Sequence, residues 1–360
     1  MKITFVLSFV DETGGCRAVL RHAEGLQRRG HDVQVIHPFW PYRFGGGPRP
    51  YGGLRMWLGM LRRNLVRGRS IAFHETRETR TVMVPRIVEQ YVRDGDFVIA
   101  TSHPTAHSVA RLSPRKGQGI YLIQHYETDI GHAAHVEAAY RLPLLRFAGS
   151  EFTADQLQRE LGISVHGLGP NGVDADYWSA GIGDAARDGI LMMATFVPRK
   201  GLPDGLRALR AVRERLPQVP IRVFGAVPPE GLPAGTEFIR RPTDDELRTL
   251  YQRTRVFLYT SLYEGFGLPP LEAMAAGCAV VTTRVGAIPE FSRDGIDAIW
   301  VPPGDAEAMT REVLGLLNDP ARTEALSSAA REQARRFDWG RATARFEESL
   351  LACRAGSRPD

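Results

Sequence analysis

Cysteine and lysine are both scarce in this chain. Its three cysteines, Cys16, Cys278 and Cys353, lie far apart, so there is no CxxC pair and no disulfide framework, and idle thiols in a reducing cytoplasm are expected. Lysine occurs only as Lys2, Lys116 and Lys200, so nearly every cation is an arginine. No apolar run approaches the ~18 residues of a membrane span. The run that begins at Ile3 meets Asp11 and Glu12, which reads as a first strand and its turn and not as a secretory leader. Acidic residues are missing from the whole stretch Val33–His74, which holds seven arginines: Arg43, Arg49, Arg55, Arg62, Arg63, Arg67 and Arg69. Without those seven, the remaining 39 basic residues face 41 acidic ones, so the net charge of +5 comes from one segment. A localised excess points to one anionic partner and excludes a protein that coats nucleic acid with its whole surface. The glycine pair after the first strand, Gly14-Gly15, is not a GxGxxG fingerprint and no acidic residue ends the second apolar run, which speaks against a dinucleotide cofactor. No His, Cys, Asp or Glu cluster has the spacing of a metal site.

What is present describes a soluble globular protein: 360 residues, 43% apolar and 24% charged, a length that predicts two domains. Apolar runs alternate with segments of helical periodicity. Lys2–Val10 leads to a helix over Cys16–Arg29, and Asp32–His37 is a second strand. Beyond the basic segment, strands are predicted at Phe97–Thr101, Gly119–Gln124 and Leu145–Gly149, each followed by a helix. The turn-rich Gly167-Leu168-Gly169-Pro170-Asn171-Gly172 interrupts the pattern, and the domain boundary is placed there, giving domains 1–168 and 169–340. The alternation restarts with strands at Ile190–Thr195, Ile221–Phe224, Glu237–Arg240, Val256–Tyr259 and Ala279–Thr283. Thr243 reads as the N-cap of a helix over Asp244–Arg253. This is α/β architecture, with two Rossmann-like doubly wound domains expected to face each other across a cleft lined by the carboxyl ends of their strands.

The strongest chemical feature is Glu264-Gly265-Phe266-Gly267-Leu268-Pro269-Pro270-Leu271-Glu272, which follows a strand and opens a helix. Glycines let the backbone approach a ligand, and a helix start favours phosphate. Two carboxylates beside a phosphate site suit the hydroxyls of a sugar and a ribose, which they accept as hydrogen-bond donors. The ligand so described is a sugar nucleotide. On spacing alone, two solvated glutamates in a Gly/Pro-rich loop are the alternative.

The segment EGFGLPPLEAMAAGCAVVTT, with Gly286-Ala287-Ile288-Pro289-Glu290 after it, resembles the signature of retaining glycosyltransferases of family 4, which have the GT-B fold. Weaker cues span nearly the whole chain: Gly14-Gly15 after the first strand, Ser150-Glu151-Phe152-Thr153, Pro170-Asn171-Gly172-Val173-Asp174, Pro198-Arg199-Lys200-Gly201 and Phe337-Asp338-Trp339. The resemblance implies that a sugar passes from a nucleoside-diphosphate sugar to a hydroxyl acceptor. Glu264 would hold hydroxyls of the transferred sugar and Glu272 the ribose. The amides of Gly265, Phe266, Gly267 and Leu268 would line the sugar and phosphate pocket, and Gly15 would let its loop approach the donor phosphate. Lys200 would meet the diphosphate, whose charge grows as the glycosidic bond breaks. The family's usual arginine five residues earlier is replaced by Thr195; Arg199 is the candidate second cation, with a solvated position as its alternative. His125, within Gln124-His125-Tyr126-Glu127, would contact the transferred sugar, a structural histidine being the alternative; Tyr126 and Glu127 are read as able to touch donor or acceptor.

The expected catalytic residues are therefore His125, Lys200 and Glu264, with no cofactor and no metal. Asp94-Gly95-Asp96 and Asp174-Ala175-Asp176 imitate a DxD metal motif but read as turn residues. The last helix, within 341–360, is expected to pack back on the first domain. The basic, aromatic-rich segment 39–69 is read as a docking surface for an anionic or lipid-linked acceptor or for a membrane face, with a solvated loop as the alternative. That would make the protein cytoplasmic and peripheral at the inner membrane face. No nucleic-acid partner is expected. Two other functions share the scaffold: a sugar-nucleotide epimerase or hydrolase, and a non-catalytic sugar-nucleotide-binding protein.

Overall fold

A computed structural model of the chain describes residues 1–10, 14–42, 44, 54, 55, 58, 79–127, 133–181 and 187–356. It divides into two units, Met1–Asn171 with Trp339–Asp360, and Gly172–Asp338.

In the first unit, β1 (Lys2–Val6), α1 (Gly14–Arg28), β2 (Asp32–Pro38), β3 (Arg80–Val84) and β4 (Phe97–Ala100) are followed by α2 (His103–Val109) and β5 (Gln118–Ile123). Then come α3 (Ala133–Tyr140), β6 (Leu145–Ala148), α4 (Glu151–Leu161) and β7 (Gly167–Leu168). All seven strands are parallel, in the order β3-β2-β1-β4-β5-β6-β7. A parallel sheet buries both faces, which is why its strands read as continuous apolar runs. Alternate residues separate into two cores: Ile3, Phe5, Phe97, Ile99, Ile120 and Leu122 on one face, and Val6, Val98, Ala100, Tyr121 and Ile123 on the other.

The chain returns to this unit at its end. Helix α12 (Trp339–Arg354; the second unit's elements are given below) places Phe346 between Phe5 and Phe147, at ring-centroid distances of 6.1 and 5.8 Å. Arg29 and His31 both contact Glu347, at 2.5 and 2.6 Å, and tie the end of α1 to the same helix. This packing corrects the reading of the turn-rich stretch. Gly167-Leu168 is an edge strand, and Leu168 donates a backbone hydrogen bond to Ser349. A Cβ on Gly167 would lie 2.7 Å from that of Ser349, and one on Gly169 would lie 2.9 Å from Leu122. The glycines there make room for the last helix. Strand β3 was also missed; it is a short edge strand that follows the arginine-rich segment.

In the second unit, α5 (Ala175–Ser179) precedes β8 (Asp188–Ala194), α6 (Leu202–Arg215), β9 (Ile221–Gly225), β10 (Glu237–Arg240), α7 (Asp244–Arg253) and β11 (Thr254–Tyr259). Next are α8 (Leu268–Ala275), β12 (Ala279–Thr283), α9 (Ile288–Phe291), β13 (Ile299–Val301), α10 (Ala306–Asn318) and α11 (Pro320–Ala334). The parallel order is β10-β9-β8-β11-β12-β13. Thr243 caps α7 in a capping box with Glu246. The chain winds outward from β8 through β9 and β10, then resumes at β11 on the other side of β8. Loops leaving β8 and β11 therefore diverge at a topological switch point, where open α/β sheets bind ligands.

Two stability predictions follow from α12. Phe346 is fully buried, and Phe346→Ala should cost the first unit about 3–5 kcal/mol, read from urea unfolding. His22 of α1 packs edge-on against Trp339 and Phe346, and burial lowers its pKa from 6.5 to about 4. The unfolded chain takes up this proton first, so the contribution is complete above pH 6.5 and is lost as pH falls toward 4. His22→Leu should remove about 2 kcal/mol from the stability difference between pH 7 and pH 4.5, measured by urea unfolding at both values.

Candidate functional site

The site in the second unit is assembled by two loops. After β8, Pro198–Lys200 forms a single 3-10 turn closed by Gly201 in the left-handed region, at φ 64°. A Cβ on Gly201 would meet the Thr260 carbonyl oxygen at 1.9 Å, so only glycine allows this turn to lie against the end of β11. Thr260 Oγ1 donates to the Lys200 carbonyl at 2.9 Å, and the Leu262 amide donates to that of Arg199 at 2.7 Å. Pinned this way, Lys200 Nζ donates to Glu264 Oε1 and, at 3.2 Å, to the Tyr259 hydroxyl. Tyr259 and Ser261 each donate to the same Oε1, Ser261 at 2.7 Å. Arg199 does not point away; its Nη1 lies 3.8 Å from Glu264 Oε2. Thr195 Oγ1 accepts from the Val197 amide within the same loop.

Burial pushes the Glu264 carboxyl up, but the Lys200 charge and the hydrogen bonds from Lys200, Tyr259 and Ser261 outweigh it and hold the group below the usual carboxylate range. Burial and the Glu264 charge push the Tyr259 phenol well above its ordinary value. The cluster is thus an ionised carboxylate and an ammonium bridged by a neutral phenol. Only 8% of the Glu264 side chain and 17% of the Lys200 side chain are exposed. Charges held in this way can stabilise a phosphate or a sugar hydroxyl more strongly than solvated ones.

The remaining residues of the E-x7-E segment lead from Glu264 into α8. Gly267 is the N-cap of α8 at φ 101°, and Leu268 is the first residue of that helix. The Gly265 carbonyl accepts from the Ala287 amide. Phe266 turns its ring inward against Phe291, at 5.3 Å, so its backbone and not its side chain faces the loop. Glu272 lies in the second turn of α8 and is buried. Tyr259 and Ser261 escaped the sequence reading; a serine three residues before Glu264 and a tyrosine at a strand end were their only signals.

The other candidates belong to the first unit. Gly15 lies in the first turn of α1, where an added Cβ would stand 3.0 Å from Gln124 Oε1, so Gly15 adjoins the Gln124-His125 loop. His125 is half-buried. Glu127, read as able to touch donor or acceptor, has protein partners. It is buried beneath the loop, accepting from His103 Nδ1 at 2.5 Å, the His103 amide at 3.2 Å and Tyr121 at 2.8 Å. Burial raises its pKa, and His103, His125 and Tyr121 together more than reverse that rise. Tyr126 stacks on Tyr140 at 5.8 Å.

The two acidic pairs serve local structure. Asp96 accepts from the Lys2 amide, Asp94 pairs with Arg115 and Lys116, and Asp174 caps α5. Asp176 lies within α5. Among the described residues, no group of three or more His, Cys, Asp or Glu side chains could hold a metal ion. Among them too, no helix is long and apolar enough to cross a membrane. Most of segment 39–69, including six of its seven arginines, lies outside the described residues.

The profile of the family described as glycosyl transferases group 1 matches residues 185–333. A phosphatidyl-myo-inositol mannosyltransferase of Mycolicibacterium smegmatis is 29% identical over 372 residues, covering 94% of this chain and 90% of the relative. An O-antigen chain mannosyltransferase B of Escherichia coli is 38% identical over 100 residues, 28% of this chain and 26% of the relative. Among solved structures, Anabaena HepE in complex with UDP-glucose superposes with a TM-score of 0.73 at 17% identity, covering 98% of this chain and 100% of that one. A sucrose-phosphate synthase from Thermosynechococcus elongatus gives 0.71 at 18% identity, covering 99% and 100%. The E-x7-E segment thus lies within the part of the chain that matches the glycosyl transferases group 1, and the two parallel Rossmann-like sheets have the GT-B fold of these glycosyltransferase structures.

Proposed function

We propose that the protein transfers a sugar, with retention of anomeric configuration and without a bound metal, from a nucleoside-diphosphate donor to a hydroxyl acceptor. The observation that carries this reading is the meeting of Lys200, Arg199 and Glu264 at the carboxyl ends of β8 and β11. As the bond between the anomeric carbon and the diphosphate oxygen breaks, negative charge grows on the leaving phosphate. Lys200, with Arg199 beside it, stabilises that charge. The amides at the start of α8 add a partial positive charge. Glu264 holds hydroxyls of the transferred sugar, and Glu272 holds the ribose. His125 is assigned a contact with the transferred sugar, and the acceptor hydroxyl attacks from the face the diphosphate leaves and passes its proton to the departing phosphate. The phosphoinositol-lipid acceptor in the name of one relative and the UDP-glucose bound to HepE support a lipid-linked or glycan acceptor and a nucleotide-sugar donor.

A thermal-shift panel of UDP, GDP, dTDP and ADP, followed by the matching sugar nucleotides, should show one base preferred and a further rise with the sugar attached. With the preferred donor, Lys200→Ala should slow release of the nucleoside diphosphate about a hundredfold. Glu272→Ala should instead weaken nucleotide binding about tenfold. Equal, small effects of both variants on both quantities would remove the assigned roles. Transfer should also survive EDTA; loss restored by Mg²⁺ or Mn²⁺ would reject the metal-free mechanism.

A further inference from the structure

Lys200 and Glu264 are assigned to different parts of the donor, the diphosphate and the sugar, yet they bond to each other. Glu264 Oε1 takes the Lys200 ammonium together with the Tyr259 and Ser261 hydroxyls, and Oε2 faces Arg199 at 3.8 Å. The carboxylate therefore lies against both cations that the diphosphate needs. We propose that Glu264 is an internal competitor of the donor's diphosphate for Lys200, making the site favour intact donor over nucleoside-diphosphate product. This inference rests on the donor reading above.

The physical argument concerns what each ligand returns to Glu264. A diphosphate that draws Lys200 toward itself leaves a buried carboxylate short of its strongest partner, which is costly. It also brings negative charge close to that carboxylate. A sugar nucleotide avoids both penalties, because its hydroxyls donate to Glu264 while its phosphates engage Lys200. A bare nucleoside diphosphate offers no such hydroxyl. Once the sugar has been transferred, Glu264 regains Lys200 and the hold on the product loosens. Tyr259 and Ser261 keep the carboxylate in place for that return, through hydrogen bonds that do not involve the ligand.

Calorimetric titration of wild type, Glu264→Gln and Glu264→Asp with inorganic pyrophosphate, UDP and UDP-glucose tests this, pyrophosphate probing the cations whatever the base. Glu264→Gln removes the competing charge and nearly preserves shape. It should bind pyrophosphate about five- to tenfold tighter than wild type, and UDP should gain likewise, while the extra affinity of UDP-glucose over UDP shrinks. Glu264→Asp, which draws the charge back by one methylene, should gain less. Thermal unfolding at the wild-type temperature establishes that each variant is folded. Pyrophosphate affinity unchanged or weakened in both folded variants would overturn the proposal. A gain in pyrophosphate affinity without binding of UDP, GDP, dTDP or ADP to any of the proteins would uphold the competition and reject the donor reading.

Discussion

Contact between Lys200 and Glu264 joins loops 64 residues apart in sequence, and the rest of the second unit is arranged to allow it. Strand order puts β8 beside β11 even though β9 and β10 intervene along the chain. The helix after β8 runs outward to β9, so its first turn stays at the strand end, facing the loop after β11. Gly201 then lets that turn press on the Thr260 carbonyl. Gly286, with φ 57°, abuts the other side of Glu264, where an added Cβ would be 2.5 Å from the Glu264 carbonyl oxygen. The two glycines thus let the loop of Lys200 and the backbone of Glu264 come close to their neighbours, and the carboxylate itself is held by Lys200, Tyr259 and Ser261.

Such contacts explain what could be read from the sequence and what could not. Parallel strands buried on both faces leave unbroken apolar runs, so β4, β5, β9, β11 and β12 were legible from composition alone. The E-x7-E segment was legible because both carboxylates, the glycines and the helix start lie within nine consecutive residues. Edge strands β3 and β7 were not, since one side of each pairs with nothing in the described sheet and their apolar content is correspondingly lower. Gly167 and Gly169 imitated a turn because glycine marks both a bend and a close approach, and the helix that approaches them is about 180 residues away in sequence. Partners such as Tyr259 for Lys200, or His103 for Glu127, depend on which strands are neighbours, and local periodicity carries no record of that order. Arg199 illustrates the same limit. Its position beside Lys200 was compatible with solvent or with the site, and only the Pro198–Lys200 turn directs it to Glu264.

Sheet order also produces the same construction in both units, and comparison of the two shows which one is open to chemistry. In the first unit, Tyr121 on β5 donates to Glu127, which pairs with His103 at the start of α2, just after the neighbouring strand β4. In the second, Tyr259 on β11 donates to Glu264, which pairs with Lys200 from the loop after the neighbouring strand β8. Both carboxylates are buried, both are held below the usual range, Glu127 chiefly by its hydrogen bond with His103 and Glu264 chiefly by the Lys200 charge, and both sit at the carboxyl end of a parallel sheet. They differ in that partner. His103 is fully enclosed, and its second nitrogen, Nε2, lies 3.2 Å from the Phe44 carbonyl oxygen. Both ring nitrogens thus face oxygen acceptors, and the ring is committed to holding the loop that carries His125 and the backbone that enters the arginine-rich segment. Lys200 is an ammonium whose side chain is 17% exposed, beside a second cation, Arg199. A sealed pair can only position what surrounds it, whereas a pair with one partly exposed member leaves that member within reach of a ligand. The first construction supports the loops of its unit, and the second leaves Lys200 partly exposed beside Arg199 and the Glu264 carboxylate.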